Sequence, residues 1–511
     1  MPHSTVIDST SKRRPRDLQT ASPIIRNALL ILLSLALLPL GTAILICSYV
    51  LRLLLPRNPQ RDRRRSSSAF YPKTILVTGV GMTKGLTLAR MFYEAGHDVI
   101  GADFEPDGVP VNGRVSRALK KFYRFTPSNT SNGPVSYIDD LLRVVRREKV
   151  DLWVSCSGVA SAAEDGQAKE VIERRTSCRA IQYDVNLTET LHSKDSFIRH
   201  TESLGLKVPE THEVTSRATV HRLLHNAQDK RYIMKSVGVD DASRGDLTLL
   251  PRPSVNETYQ HVAAIDISQK NPWVLQQFIL GNEYCTHALV VDGNVKVFVA
   301  CPSSELLMHY EPLPPDSTLS KAMLEFTTEF VSRTGQNMTG HLSFDFLVDE
   351  RMIGKGQGIA MNIYPIECNP RAHTAVVLFK GAESEMTDAY LSAVEPGLQR
   401  LTNGQSHESP RIVVPRWSTG YYWAGHDLVA LVLLPLWRCL TGTLALRAMV
   451  RDWSTFVEHV FLWRDGTFEF WDPLPWWWLY HVYWPGKFLA SLQHGDRWSR
   501  INVSTTKMFA S

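Results

Sequence analysis

Three groups of residues, far apart in the chain, have the types and spacing to handle a phosphorylated ligand. The first is a pair of lysines. Lys194 opens an amphipathic helix predicted over residues 194–204, and Lys235 ends the apolar run Tyr232-Ile233-Met234. An ammonium at the mouth of an apolar strand is placed to meet phosphate oxygens. Ser236, Gly238, Ser243, Arg244 and Gly245 follow in a polar loop suited to folding over phosphates. The second group is Trp273-Val274-Leu275-Gln276-Gln277-Phe278-Ile279-Leu280-Gly281-Asn282-Glu283. Here an apolar strand runs into a segment whose backbone can pair with a base, and a carboxylate follows that suits ribose hydroxyls. The third group is acidic. His341-Leu342-Ser343-Phe344-Asp345-Phe346 alternates as a strand with Asp345 on one face, and Tyr364-Pro365-Ile366-Glu367-Cys368-Asn369-Pro370-Arg371 puts Glu367 and Asn369 on one face, two residues apart. Two carboxylates and an amide oxygen are hard ligands of the kind Mg²⁺ takes when it holds a triphosphate. Taken singly, each lysine reads as a solvated surface side chain. The acidic trio does not read so, because charge inside apolar strands is costly. Arg371 is the next cation in that direction, suited to neutralising a transferring phosphoryl group or a substrate carboxylate.

These groups need a scaffold. Residues 73–79 read as a buried strand, 83–95 as a helix, 98–102 as a strand, 137–147 as a helix and 151–155 as a strand. That alternation predicts a doubly wound parallel sheet and an α/β chain. Between the first strand and helix lies Gly79-Val80-Gly81-Met82-Thr83-Lys84-Gly85, spaced GxGxxxG. Such a turn can hold an anion on backbone N–H groups, with Asp103 beyond the second strand available to a ribose. A nicotinamide-dependent oxidoreductase is therefore an alternative reading; a tight turn or one wall of a substrate pocket is the other use of the loop. Farther on, residues 285–291 and 295–300 read as a hairpin about Asp292-Gly293, the preferred residues for a tight turn, and 319–333 as a helix.

The 511 residues carry 56 Lys and Arg against 51 Asp and Glu, a net charge of +5. Residues 1–73 hold 12 of the basic and 3 of the acidic groups, so they carry +9 and the remainder −4. The basic excess belongs to the tail, and no nucleic-acid partner is expected of the body. The seven Cys residues are scattered, with no CxxC pair and no zinc-like spacing, which fits reduced thiols. Residues 28–51 are uncharged over 24 positions, about 36 Å as helix, enough to cross a hydrocarbon core of about 30 Å. Arginines flank both ends, and Pro39 and Gly41 interrupt the middle. A single tilted span, a hairpin bent at Pro39 and a buried core helix are the three readings, and either membrane reading leaves the body facing the cytosol. Residues 56–72 read as a flexible linker. Eleven of the thirteen Trp lie between Trp417 and Trp498, as the aromatic core of a small C-terminal unit or as an interfacial belt.

As a set, Lys235, the hinge Gln276-Gln277-Phe278-Ile279 with Glu283, and Asp345 with Glu367-Cys368-Asn369-Pro370-Arg371 resemble the ATP-grasp superfamily over about residues 74–390. The resemblance implies ATP with Mg²⁺ (or Mn²⁺). Lys194 and Lys235 would bind phosphates, the hinge from Gln276 would meet adenine through the backbone of Gln277 and Ile279, and Glu283 would bind ribose. Asp345, Glu367 and Asn369 would hold the metal, with Arg371 and Lys235 serving the transfer step. It implies an ATP-grasp domain of two α+β subdomains behind the parallel-sheet domain. The expected division is 1–73 membrane segment and basic linker, 74–189 parallel-sheet domain, 190–395 ATP-grasp domain and 396–511 Trp-rich region. Gln276 departs from the Glu of many members, and the gap between Asp345 and Glu367 is long, filled by the Gly-rich stretch Gly354 to Gly358, read as a longer hairpin loop. Gly81-Met82-Thr83-Lys84, Glu283-Tyr284-Cys285-Thr286-His287 and Cys368-Asn369-Pro370-Arg371-Ala372-His373 look like the membrane-anchored ligases of specialised metabolism, of mycosporine-glycine and fumisoquin type. The activity so implied is ATP-dependent joining of a small-molecule acceptor to an amine or amino acid. A membrane scaffold with a silent ATP site is the third class, disfavoured by the complete set of Lys, Asp, Glu and Asn.

Overall fold

The computed structural model describes residues 23–54, 59–126, 133–156, 162–227, 230–236, 248–303, 308–349, 363–395 and 412–510. The loop holding Gly238, Ser243, Arg244 and Gly245, and the insert from Gly354 to Gly358, lie outside them.

Five strands form a parallel sheet in the order β3-β2-β1-β4-β5: β1 Thr74–Thr78, β2 Asp98–Phe104, β3 Leu119–Phe125, β4 Leu152–Ser155 and β5 Arg179–Ile181. This is the doubly wound order, reversing direction of build at β1. Ile75, Leu76 and Val77 of β1 are fully buried, as a strand covered on both faces by helices must be. A three-stranded antiparallel sheet follows, β6-β8-β7, from β6 Thr211–Val214, β7 Tyr232–Ser236 and β8 Trp273–Gln277. Then comes a four-stranded antiparallel sheet, β10-β9-β11-β12, from β9 Asn282–Val291, β10 Asn294–Pro302, β11 Gly340–Val348 and β12 Ile363–Asn369. The β9–β10 turn puts Asp292 at φ 47° and Gly293 at φ 70°, the left-handed region a two-residue turn requires. The helix Thr318–Thr334 covers the large sheet, packing Phe326 and Phe330 on Phe344.

Two expectations about the tail are corrected. Pro23–Leu54 is one continuous helix that runs through Pro39, so the chain makes no hairpin there. It is the one helix among the described residues long and apolar enough to cross a membrane, by length and composition. Nor is the Arg-rich segment simply an extended linker. Residues 59–66 form a short helix whose arginines cap the C-terminus of the helix Thr83–Glu94. Arg64 donates to the Ala95 carbonyl at 3.4 Å, Arg65 to Gly96 at 2.8 Å and Arg61 to His97 at 3.3 Å. Unpaired carbonyls and the negative end of a helix dipole attract these forks, a tertiary effect that a search for apolar periodicity misses.

Part of the Trp-rich region is core. Trp423, Trp484 and Trp498 are buried in the main core, whereas Trp417 and Trp437 are 61% and 60% exposed. The region is tied to the parallel-sheet domain by a buried ion pair. Arg90 Nε lies 2.9 Å from Asp472 Oδ2, and Asp472 also accepts from Ser116 Oγ at 2.6 Å and the Arg117 N–H at 2.9 Å.

Candidate active site

The acidic trio is set by strand register. Asp345 on β11 stands directly opposite Glu367 on β12, and Ser343 opposite Asn369, so Asn369 lies diagonal to Asp345. Asn369 Nδ2 donates to Asp345 Oδ2 at 3.3 Å. Like charges facing each other across a ladder repel. Burial, then Glu367 and Glu283, hold the Asp345 carboxyl well above the usual carboxylate range, against the pull of Arg371 and Lys194. A divalent cation among these oxygens would reverse that repulsion, and the donor set of two carboxylates and an amide oxygen fits Mg²⁺ or Mn²⁺.

Cations close the other sides. Lys194, first residue of the helix Lys194–Ser203, reaches Glu367 Oε2 at 3.2 Å. Arg371 Nη2 donates to Asn369 Oδ1 at 3.0 Å, which fixes the guanidinium beside the trio. Lys235, from β7 of the small sheet, donates to Gln276 Oε1 at 2.7 Å. Burial pushes the Lys235 ammonium down to about 8, the nearby Lys194 adds to this, and Glu367 and Glu283 oppose it. These mutual effects bring Lys194, Lys235, Glu283, Asp345, Glu367 and Arg371 into one electrostatic neighbourhood between the two antiparallel sheets. A polyanion entering it would meet a Lys235 held below its ordinary protonation range and would raise it again.

The hinge differs in detail from the expectation. Gln276 is buried; its Oε1 accepts from Lys235 and its Nε2 donates to Thr211 Oγ1 at 3.1 Å, so it orients the lysine. The Gln277 N–H donates to the Glu210 carbonyl at 2.7 Å, at the edge of the small sheet. Ile279 is buried just beyond the strand. Glu283 is exposed at the start of β9, where Ser303 Oγ donates to its Oε1 at 2.9 Å. An exposed, oriented carboxylate suits sugar hydroxyls.

The glycine loop has no donors left for a dinucleotide at three successive positions. The Gly81 N–H donates to Asp103 Oδ2 at 2.6 Å, Met82 N–H to the Gly79 carbonyl at 3.1 Å and Thr83 N–H to the Ser504 carbonyl at 2.8 Å. Asp103, pushed up to about 7 by burial, faces this turn. A Cβ on Gly85 would lie 2.2 Å from the Gly79 carbonyl oxygen, so the third glycine serves close packing. The loop is a tight turn, and its use by a nicotinamide cofactor is not supported.

Lys84 enters the sequence reading only as part of a motif. It is 1% exposed, and its Nζ donates to the Ala372 carbonyl at 2.9 Å, next to Arg371. Burial and then Arg371 push it down to about 7. Around it lie His287, His341 and His373, all buried and held low by burial. The signal was its place at a helix start directly after the glycine turn, but a lysine there ordinarily reads as exposed. A further cluster, His309, Asp427 and His459, has Asp427 accepting from His309 Nε2 at 2.8 Å and His459 Nδ1 at 2.6 Å. Two ligands on one tetrahedral zinc stand about 3.3 Å apart for bonds of about 2.0 Å, so these separations are those of hydrogen bonds.

No protein-family model matches the sequence, and no curated protein matches it. Solved structures do align. The L-amino acid ligase from Bacillus licheniformis aligns over 63% of this chain and 74% of its own, at 15% identity and a TM-score of 0.43. The N5-carboxyaminoimidazole synthetase from Staphylococcus aureus aligns over 63% and 77%, at 13% identity and a TM-score of 0.44. The N5-carboxyaminoimidazole ribonucleotide synthetase from Thermus thermophilus aligns over 68% and 82%, at 16% identity and a TM-score of 0.45. Similarity this distant decides nothing about activity, and the functional reading rests on the residues of the site itself.

Proposed function

We propose that the chain is an ATP-dependent ligase that activates an oxygen of a small acid or enol and joins that carbon to an amine or amino acid. The observation that carries this is the convergence of Lys194, Lys235, Glu283, Asp345, Glu367, Asn369 and Arg371 between two antiparallel sheets. Asp345, Glu367 and Asn369 would hold Mg²⁺ or Mn²⁺. Bound with ATP, the metal supplies charge neutralisation and the nucleotide supplies the phosphoryl group. Lys194 and Lys235 grip phosphate oxygens, with Gln276 aiming Lys235. Glu283 positions the ribose. Arg371, clamped by Asn369, faces the acceptor's anionic oxygen or the transferring group, where a planar fork matches a carboxylate or phosphate. Phosphorylation turns that oxygen into a leaving group, and the amine displaces it as phosphate. Catalysis of this kind is positioning and electrostatic stabilisation, which is what fixed cations and carboxylates supply.

The motif likeness to mycosporine-glycine and fumisoquin-type ligases supports a cyclic enol or an acid of specialised metabolism as the acceptor, with the body held at a cytosolic membrane face by residues 28–51. The test is product formation. Release of ADP and phosphate that requires ATP, an acid or enol acceptor and an amine together supports the reading. NADPH oxidation by the purified protein, with no nucleotide-triphosphate turnover, would replace it.

A further inference from the structure

The helix Pro23–Leu54 has two different faces. Asn27, Ser34, Gly41 and Ser48 recur every seven residues, two helical turns, and so form one stripe. That stripe is turned to the body. Asn27 Nδ2 donates to Ser491 Oγ at 3.2 Å and its Oδ1 accepts from Trp498 Nε1 at 2.8 Å. Ser34 Oγ donates to the Tyr480 carbonyl at 2.8 Å. A Cβ added to Gly41 would fall 2.2 Å from His481 Nε2, so the helix touches the body there. Beside the stripe, Trp477 Nε1 donates to Thr42 Oγ1 at 3.1 Å, and the Arg117 guanidinium sits 5.5 Å over the Tyr49 ring. From Asn27 to Tyr49 these contacts extend over about 33 Å, the full thickness of a hydrocarbon core of about 30 Å.

The opposite stripe is apolar and open. Ile25, Leu32, Ile46 and Leu53 lie on the same seven-residue step, with Pro39 at its middle position, and are 54–86% exposed. What backs the buried stripe is the segment Leu474–His494, itself packed on the parallel-sheet domain. Trp478 Nε1 donates to the Pro110 carbonyl at 3.0 Å, and Lys487 pairs with Asp107 at 2.5 Å. Standing the helix across a bilayer would carry Arg117, Lys487 and Asp107 into hydrocarbon, where each charge is expensive. Lying in the membrane plane, the helix buries only its apolar stripe.

We infer that this helix is an in-plane membrane anchor, and that the helix Leu446–Leu462 adds a second strip to the same lipid-binding surface. Leu446, Val450, Val457 and Phe461 are exposed along one side of that second helix, with Arg447 and Arg451 beside them. An exposed apolar stripe edged by arginines fits a bilayer interface with anionic headgroups. The inference rests on the membrane reading of residues 28–51 and replaces the single span with a monotopic arrangement, in which the helix and the catalytic body stay on one side.

The test places single nitroxide labels on the full-length protein in a Cys47→Ala, Cys439→Ala background. The sites are Leu29→Cys, Leu40→Cys and Val50→Cys on the first helix, and Val457→Cys and Phe461→Cys on the second. All are exposed and leave the core untouched. Power saturation with oxygen and a water-soluble nickel complex gives label depth in phosphatidylcholine–phosphatidylserine vesicles. The expected result is one shallow depth, about 5–10 Å below the headgroups, at all five sites. A deep label at Leu40 between shallow labels at Leu29 and Val50 would overturn the in-plane arrangement and leave the membrane reading standing. Water exposure at Val457 and Phe461 alone would remove the second strip and overturn the shared surface. Failure of the protein to bind vesicles would overturn both the inference and the membrane reading.

Discussion

Replacing Lys235 by Met separates two effects of one buried ammonium. In the nucleotide-free protein the charge is unfavourable, since burial and Lys194 bring Lys235 down to about 8. The displacement from the ordinary lysine range, about 10.4, corresponds to an upper bound on the order of 3 kcal/mol. An unfolded chain holds that proton up to about pH 10.4 and so binds more protons than the folded one between pH 8 and 10.4. Folding therefore becomes more favourable as pH rises through that window, and the penalty is present in full below it. Lys235→Met, similar in length and uncharged, should melt higher than the parent at pH 7 without nucleotide, with the gap closing as pH rises past 8. Toward ATP the sign reverses. A hydrogen bond to a charged group is worth about 1.5–3 kcal/mol, so KM for ATP over kcat should worsen by about 10- to 150-fold. Phosphate oxygens favour the charged lysine, so the parent's KM for ATP should stay level below pH 8 and climb above it, by at most about tenfold per pH unit, while the variant shows no such climb. Steady-state kinetics from pH 6.5 to 9.5 and thermal melts across the same range provide both readouts. Unchanged ATP kinetics at pH 7.5, or a variant that melts lower at pH 7, would refute the placement of this lysine.

Asp345→Asn and Glu367→Gln should each abolish turnover; without nucleotide Asp345→Asn should raise the melting temperature at neutral pH, because it removes the buried one of two facing carboxylates, whereas Glu367→Gln also gives up the ion pair to Lys194; added Mg²⁺ should stabilise the parent and not the variants. Lys84→Met should lower kcat and leave KM for ATP near the parent value, since Lys84 acts through the Ala372 carbonyl and Arg371 and not on the nucleotide. Asp472→Ala leaves the buried Arg90 charge without its counter-ion, though still bonded to the Thr467 and residue-472 carbonyls, and should cost about 3–5 kcal/mol, read as a fall in the urea midpoint, with Asp472→Asn less affected.

The strands that carry the chemistry were legible because their signals are local. The alternation of residues 341–346 and 364–369 places Asp345, Glu367 and Asn369 on their faces, whereas the register that sets Asp345 against Glu367 includes a bulge, with Phe346 opposite Pro365, that the alternation does not foretell. The hairpin at Asp292-Gly293 was legible from its turn residues. Two strands of the parallel sheet were not. β3 reads Leu-Lys-Lys-Phe-Tyr-Arg-Phe, an edge strand whose charges blur the apolar pattern, and β5 has only three residues. Lys84 was not legible as a buried group, because only the tertiary fold brings the Ala372 carbonyl to it. The docked face of the N-terminal helix had a trace in sequence, the step from Asn27 through Ser34 and Gly41 to Ser48. High overall hydropathy hides a stripe of small and polar residues, so the segment reads first as a span.

A metal-dependent nucleotide site between the two antiparallel sheets is the central claim. Calorimetric titration of ATP into the nucleotide-free, full-length protein, with and without Mg²⁺, tests it without any knowledge of the acceptor. The predicted result is one ATP site per chain, tightened by Mg²⁺ in the parent and indifferent to Mg²⁺ in Asp345→Asn and Glu367→Gln. Absence of ATP binding, or ATP binding whose Mg²⁺ dependence survives both substitutions, would contradict it.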